Sequence, residues 1–436
     1  MSLVPSFAEL PQPLSCVMTT PTFNSFPSVL TGWVFARRRT VTGMILAAEA
    51  VGTKHHSAYH RPFATARRSL DELGLAVFAL ILPPPNDASI LPGIDDTPAR
   101  KRGLKIFGVG MRHGPPLSTR KTAIMNWGHC RVVPGVVIKL PFCGDRFFCL
   151  PVLFRLYVPK KTAGKKGLAC HAKPELAVQM VQLLCGGFND RRFHAIGDSA
   201  YGGKSVLPNL PRNCDLTSRL TMDARLYDAP VTRKSRKGGR PRKRGVRLPT
   251  PEPMPKDRCR CLTPDVYGRR DKSRVGECVA RRYAGPNRPP KIVAVEPPTG
   301  GRKPQAFFST CPDDSAQTRP SRFAARWSIE VAYHDAKGHL GFEEPQGWTK
   351  RAVRRTAPVA MPLYTRVVLG FSRAGRRHYA PPDRPWYIGK THASSADRLA
   401  TLRCQSVEKQ VLSMQLHGRG SRNVLKTLMH VVRQAA

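Results

Sequence analysis

The chain has 436 residues and is strongly basic, with 72 Lys and Arg residues against 29 Asp and Glu and a formal net charge of +43. Its hydrophobic content of 41% can still support buried cores, and a chain beyond ~250–300 residues usually forms more than one domain. A positive field of this size attracts polyanions, because Lys and Arg contacts to phosphates release condensed counterions. Nucleic acid is therefore the expected partner. Arginine enrichment from a GC-rich genome is the alternative, which the clustering of Lys and Arg disfavours.

The sequence carries no signal for secretion or membrane insertion. The first thirty residues lack an uninterrupted apolar core, which a secretory signal requires. The longest apolar run, Leu75 to Leu82, is too short for a bilayer, which needs ~20 residues. We therefore expect a cytoplasmic protein with no membrane partner, whose 12 cysteines are reduced thiols.

Helical patterns dominate the first part of the chain. Phe26, Leu30 and Trp33 belong to an apolar stripe at helical spacing, and Ser69 with Glu72 forms a capping-box pattern before a further apolar helix. The prolines at 83–85 must end that helix. Two short helices around a basic turn suit DNA binding, although most such pairs are packing units. Both interpretations stay open on the pattern alone.

Strand patterns begin at about residue 88. Cys130 to Ile138 and Phe147 to Leu156 are rich in β-branched and aromatic residues, and a helix is predicted around Pro174 to Leu184. Phe193 to Asp198 is typical of a short buried strand that ends in a carboxylate. The order of strands, helix and strand predicts a mixed α/β sheet with catalytic groups at strand ends.

The composition changes again at about residue 212. Arg233 to Arg247 contains no acidic residue and must be solvated, and further β-type segments follow it. A helix near Arg322 to Leu340 resumes the core. The predicted domains are an N-terminal helical DNA-binding domain (1–87), a first part of the catalytic core (88–211), a β-rich inserted domain with the basic loop (212–310), a second part of the core (311–372) and a C-terminal helical region (373–436).

Three carboxylates stand out because acidic residues are scarce. Asp96 is predicted to follow a strand, Asp198 follows another, and Glu330 lies in a predicted helix. Two divalent ions ~3.5–4 Å apart need carboxylates from separate elements that converge on one point. Oxygen ligands are those that Mg²⁺ prefers. The three acids are therefore candidate metal ligands and catalytic residues.

Cations flank the third acid at helical spacing. Arg326, Glu330 and Lys337 fall along one helix stripe, where a metal ligand between two cations could hold a phosphodiester. The alternative is an ordinary i,i+4 ion pair between Arg326 and Glu330 on a solvated surface. The spacing alone favours the ordinary pair.

Three ordered motifs resemble those of a known family. Ile94-Asp95-Asp96-Thr97, Ile196-Gly197-Asp198-Ser199-Ala200-Tyr201 and Arg326-Trp327-Ser328-Ile329-Glu330, continuing to Lys337, resemble the motifs of DDE transposases of bacterial insertion sequences. The similarity is to the cut-and-paste branch with a β-rich insertion in the core. Because the family's first acid immediately precedes Thr, the resemblance implies Asp96 rather than Asp95 as the first ligand.

The resemblance also implies a fold, cofactors and partners. The fold is ribonuclease-H-like, and Asp96, Asp198 and Glu330 would hold two Mg²⁺ ions, for which Mn²⁺ could substitute. The substrate is double-stranded DNA, as element ends and target, bound by a dimer near the bacterial nucleoid. The residues implied in DNA binding are Arg326, Lys337, Arg219, Arg240, Arg242, Lys243 and Arg244.

Some alternatives remain open at this point. Arg240-Pro241-Arg242 resembles a minor-groove hook, but a non-specific phosphate-binding loop is the more common explanation of such a pattern. The chain could also be a catalytically inactive, transposase-derived DNA-binding protein, or a Mg²⁺-dependent nuclease that hydrolyses DNA without joining it. Hydrolysis and joining use the same metals with different nucleophiles, so the motifs do not separate them.

Overall fold

One eleven-stranded mixed sheet organises the molecule. Its strand order is β10-β13-β14-β15-β7-β6-β1-β3-β2, with β4 and β5 also pairing with β3. The strands of the computed structural model are β1 (Leu91–Arg100), β2 (Gly110–His113), β3 (Met125–Lys139), β4 (Phe147–Pro151), β5 (Arg155–Tyr157), β6 (Phe193–Gly197), β7 (Cys214–Leu220), β8 (Leu226–Tyr227), β9 (Arg247–Leu248), β10 (Arg260–Leu262), β11 (Asp265–Val266), β12 (Arg269–Arg270), β13 (Ser273–Val279), β14 (Lys291–Glu296) and β15 (Gln305–Ser309).

Helices flank this sheet. They are α1 (Thr20–Phe23), α2 (Phe26–Phe35), α3 (Val41–Ala47), α4 (Ser57–Ala64), α5 (Leu70–Ile81), α6 (Lys160–Lys165), α7 (Lys173–Gly187), α8 (Met254–Asp257), α9 (Thr318–Ala325), α10 (Trp327–Leu340), α11 (Lys350–Arg373) and α12 (Ser395–Ser413). The arrangement confirms the predicted mixed α/β sheet of ribonuclease-H-like type.

The structure describes residues 3, 7, 12–64, 69–82, 88–113, 122, 124–165, 167–230, 244–257, 259–282, 290–297, 303–381, 389–413 and 424. Within these ranges, no helix is both long and apolar enough to cross a membrane. Beyond Ser413, the C-terminal region predicted to be helical is described only at residue 424, and most of the basic segment from Arg233 to Arg247 also lies outside the described residues.

The centre of the sheet combines parallel and antiparallel pairs. Strand β1 pairs in parallel with β6, which pairs in parallel with β7. On its other side β1 runs antiparallel to β3. Because the carboxyl ends of parallel strands meet at one edge of a sheet, the acidic segments that follow β6 and lie in β1 are brought to the same region.

Residues 212–310 extend this sheet. The strand β15 pairs antiparallel with β7, and β14 and β13 continue from it, while β8–β9 and β11–β12 form separate two-stranded ribbons. Strands β7 to β15 all lie within these residues. Its first strand, β7, is a neighbour of β6 in the central sheet.

The N-terminal helices pack directly on the core. The Ser69 hydroxyl accepts a hydrogen bond from the Glu72 N–H at 3.2 Å, as the capping pattern predicts. The fully buried Trp33 donates from Nε1 to the Leu340 carbonyl at 2.8 Å. Arg39 pairs with Glu344 at 3.1 Å and donates to the His339 carbonyl at 2.7 Å. The N-terminal unit thus holds the C-terminal end of α10.

Candidate active site

Two adjacent acids on β1 face opposite sides of the sheet. The sequence pattern predicts Asp96 after a strand, but β1 continues through Asp95 and Asp96 to Arg100. Successive side chains of a strand alternate between its faces. The two carboxylates accordingly have separate sets of partners, and only one of them meets the helix that carries Glu330.

Asp95 is the acid that faces α10. The Arg326 guanidinium donates to Asp95 Oδ2 at 2.6 Å and to Glu330 Oε1 at 2.7 Å, so one cation bridges the two carboxylates. Tyr333 Oη, one turn further along α10, donates to the Asp95 carbonyl at 3.3 Å. Burial raises the pKa of the Asp95 carboxyl to about 7, although Arg326 opposes this shift.

Asp198 stands at the end of β6, as predicted. It begins a 3₁₀ turn over Ser199–Gly202, and its Oδ1 accepts from the Ala200 N–H at 2.9 Å. Its carbonyl accepts from the Ser218 hydroxyl of β7 at 2.7 Å. Ile94 of β1 pairs in parallel with Gly197 of β6, so Asp95 and Asp198 follow this pair on adjacent strands, and the charge of Asp198 further raises the pKa of Asp95.

Asp96 is held in a different cluster. Its Oδ2 accepts from Lys173 Nζ at 2.7 Å and from Cys130 Sγ at 3.1 Å, and its Oδ1 accepts from Tyr201 Oη at 2.9 Å. Burial raises the pKa of the Cys130 thiol to about 12, so the thiol remains a donor. Among the described hydrogen bonds, the Asp96 carboxylate and Glu330 share no partner.

The flanking cations of the third motif have defined partners. Arg326 lies at the junction of α9 and α10, so the helix predicted over this region is divided there. Lys337 Nζ donates to the Pro98 carbonyl at 2.6 Å and pairs with Glu343 at 3.2 Å. The ordinary i,i+4 pair of Arg326 with Glu330 exists, but Asp95 converts it into a three-residue network of which Arg326 is the centre.

The other predicted DNA contacts are only partly described. Arg219 is exposed on β7, next to Ser218 and at the sheet end where Asp198 lies. The Arg244 guanidinium carbon lies 4.8 Å from the centre of the Tyr227 ring, a cation–π contact. Arg240, Arg242 and Lys243 lie outside the described residues.

The donor set fits a hard divalent cation. Asp95 in a strand, Asp198 directly after a strand and Glu330 in a helix offer carboxylate oxygens, which is the ligand chemistry of Mg²⁺. The Arg326 guanidinium between Asp95 and Glu330 shows that the two acids already share one positive charge. The oxygens of the three acids do not all lie within 4.8 Å of one another.

A second group of possible ligands is an ion-pair network. In the described part of the chain, His194, Cys311 and Asp314 are the one group whose ligand atoms all lie within 4.8 Å. Asp314 accepts from Arg322 and from Ser309, and the Arg322 guanidinium lies 3.3 Å from His194 Nε2. Arg322 therefore pairs with Asp314 beside His194, and these residues form an ion-pair network away from the three motifs.

The first motif alone does not distinguish Asp95 from Asp96. The signal that separates the two acids is alternation along the strand, together with the donors on each face: Arg326 for Asp95, and Lys173 with Tyr201 for Asp96. Arg326, Lys173 and Tyr201 are all far from the two acids in sequence, so local residue spacing does not predict these contacts.

Comparison with known families gives one finding. Residues 15–274 match the model of a family described as DDE superfamily endonuclease. The match spans more than half of the chain and includes Asp95, Asp96 and Asp198, and it ends before Glu330. A comparison with curated proteins finds no match.

Proposed function

Because the chain belongs to the DDE superfamily endonuclease family, whose members cleave DNA with divalent metal ions, we propose that it is a transposase. It cleaves DNA at the ends of an insertion sequence of bacterial type and joins those ends to target DNA. Pairing of two ends requires two active sites, so we expect a dimer in the DNA complex. The strong positive charge supplies the general affinity for DNA.

The observation that carries the proposal is the shared cation between Asp95 and Glu330. Carboxylates from β1 and α10 approach one point closely enough to bind both ends of one guanidinium. Asp198 directly follows β6, whose last residue Gly197 pairs with Ile94 of β1. We propose Asp95, Asp198 and Glu330 as ligands of two Mg²⁺ ions, with Mn²⁺ able to substitute. Asp95 replaces Asp96, the first acid implied by the resemblance.

The chain's own groups would bind and orient the DNA strand. When bound, divalent ions supply Lewis acidity and lower the pKa of an attacking water or 3′-hydroxyl. Arg326 presents a planar fork of donors that suits a phosphate, and it lies directly against the acids. Lys337 lies about two turns beyond Glu330 on α10, where a neighbouring phosphate of the same strand would pass.

The test compares neutralised acids on a plasmid that carries the open reading frame with its native flanking DNA. Asp95→Asn and Glu330→Gln should abolish nicking in Mg²⁺ or Mn²⁺ while DNA binding, measured by gel shift, is retained. Asp96→Asn is the matched control, with the same charge change one residue away, and should keep measurable nicking. Nicking by Asp95→Asn at the wild-type rate would show that the ligand assignment is wrong.

The joining step needs a separate assay. A labelled end with a free 3′-hydroxyl is incubated with a supercoiled target plasmid, and covalent capture of the label is measured. Captured label supports a transposase, whereas nicking without capture identifies a hydrolytic nuclease. A wild-type chain that binds DNA but neither nicks nor joins it would be an inactive, DNA-binding relative.

A further inference from the structure

An exposed aromatic residue lies beside a group of cations at some distance from the acids. Trp348 is 63% exposed and stands two residues before α11. Lys350 and Arg354 are exposed on α11 shortly after it, and Arg102 and Lys105 are exposed on the loop that follows β1, which contacts the Trp348 backbone through Phe107. We call these five residues the Trp348 surface.

Contacts between two segments fix the backbone of this surface. The Phe107 N–H donates to the Trp348 carbonyl at 2.9 Å. Lys101 Nζ donates to the carbonyls of Glu343 at 2.6 Å and Pro345 at 3.3 Å. Lys350 and Arg354 both stand within 6 Å of the Phe107 ring, at 5.9 and 5.8 Å. The loop after β1 and the segment before α11 therefore form one platform.

The platform lies beyond the C-terminal ends of β1 and α10, which both run from the candidate active site towards it. Tyr333 contacts the Asp95 carbonyl, Lys337 contacts the Pro98 carbonyl, and Lys101 contacts the Glu343 carbonyl. Asp95 and Lys101 are separated by about 20 Å of extended chain at ~3.3 Å per residue. This length corresponds to about six nucleotides at ~3.4 Å per step.

The two stretches of chain that contribute the Trp348 surface contain no acidic residue to neutralise its positive charge. No Asp or Glu occurs from residue 97 to 144 or from 345 to 382, and both of these acid-free stretches contribute to the surface. The two nearest acids in sequence, Glu343 and Glu344, pair with Lys337 and Arg39. An exposed indole in such a positive field suits an anionic ligand that has flat apolar faces.

We propose that the Trp348 surface binds an unpaired stretch of a DNA strand near the active site, with a base stacked on Trp348 and phosphates held by Lys350 and Arg354. This rests on the proposed function, because it places the strand on the path from Asp95. An intact duplex hides its base faces in the stack, whereas an unpaired base exposes one. Stacking of a base on an aromatic side chain contributes ~1–3 kcal/mol.

The test measures binding by fluorescence anisotropy in EDTA, so that no cleavage occurs. Two labelled DNAs are compared, a blunt duplex and the same duplex with a six-nucleotide single-stranded extension. Trp348→Ala should weaken binding of the extended DNA about 5- to 150-fold, which is ~1–3 kcal/mol at ~1.4 kcal/mol per tenfold. Binding of the blunt duplex should change less than about twofold, and Trp348→Phe should retain the preference for the extension.

A matched pair of double variants tests the cations. For the extended DNA, the logarithm of the binding constant is plotted against the logarithm of the salt concentration. Lys350→Ala with Arg354→Ala should reduce the magnitude of this slope by ~0.7 for each phosphate that the variant no longer neutralises. Arg192→Ala with Arg212→Ala removes the same charge from exposed positions that precede β6 and β7, at the sheet end opposite Asp198, and should leave the difference between the two DNAs unchanged.

Two outcomes would overturn the proposal. One is an equal loss of affinity for both DNAs in Trp348→Ala, which would indicate a general effect on the fold or on duplex binding. The other is no loss of affinity for either, which would assign the surface to a different partner. Thermal unfolding of Trp348→Ala controls for folding. Nicking by Asp95→Asn tests the proposed function independently, so the two failures are distinguishable.

Discussion

The hydrogen bond between Tyr201 and Asp96 leads to a prediction about the stability of the structure that positions the acids. Tyr201 is 1% exposed, and its hydroxyl donates to Asp96 Oδ1 at 2.9 Å. It lies three residues after Asp198, so this bond ties the strand that carries Asp95 to the turn that begins at Asp198. Tyr201→Phe keeps the ring and removes one donor to a carboxylate.

The expected magnitude follows from the partners. A hydrogen bond to a charged group contributes ~1.5–3 kcal/mol, and Asp96 retains Lys173 and Cys130 as donors. We therefore expect Tyr201→Phe to lower the free energy of unfolding by ~1.5–3 kcal/mol. Tyr59→Phe is the matched control, since Tyr59 is equally buried and its Oη lies 2.7 Å from the neutral Thr53 hydroxyl, and we expect it to cost ~1 kcal/mol.

Unfolding by denaturant at pH 7 is monitored by circular dichroism. The midpoints of the variants are compared, provided that the dependence of the free energy of unfolding on denaturant concentration is the same. Tyr201→Phe, Asp96→Asn and the double variant form a double-mutant cycle. The two changes should be non-additive because they break one interaction. A smaller loss of stability for Tyr201→Phe than for Tyr59→Phe, or full additivity in the cycle, would refute the reasoning.

Three further predictions concern pH, packing and charge. Burial and the charge of Arg131 lower the pKa of His129 to about 3. Below pH ~6.5 the unfolded chain therefore binds a proton that the native chain does not. The free energy of unfolding should decrease as the pH is lowered, by ~2 kcal/mol from pH 7 to pH 5. His129→Gln should flatten this acid limb in unfolding midpoints. Gly202→Ala should cost ~1–3 kcal/mol in a thermal melt, because its Cβ would meet the Ser218 hydroxyl at 2.4 Å. Replacing 233–247 with a Gly/Ser segment should flatten the salt dependence of duplex binding, and an unchanged slope would show that this segment stays off the phosphates.

Local signals predict much of the framework. Turn residues and apolar periodicity indicate β6 before Asp198, the helix that contains Glu330 and the cap at Ser69, because these features depend on neighbours in sequence. The described cysteines, such as the buried Cys149 and Cys185, are free thiols, as the sequence predicts.

The identity of the first acid depends on non-local structure. A strand is not expected to continue through Asp-Asp-Thr-Pro, because proline is uncommon inside sheets, yet Pro98 pairs with Cys130 within the β1–β3 ladder. That continuation places Asp95 and Asp96 on opposite faces. Likewise, β7 follows the predicted boundary at residue 211 but pairs with β6, and a parallel neighbour leaves no local mark in the sequence.

The anchoring of α10 by the N-terminal helices affects how this protein can be dissected. Trp33 and Arg39 satisfy carbonyls at the last turn of the helix whose first turn carries Glu330. A shortened chain that begins at residue 88 would leave those carbonyls without protein donors and uncover the apolar surface on which Trp33 packs. The catalytic residues and the amino-terminal helices therefore belong to one cooperative folding unit. A shortened chain intended for activity assays should retain these helices.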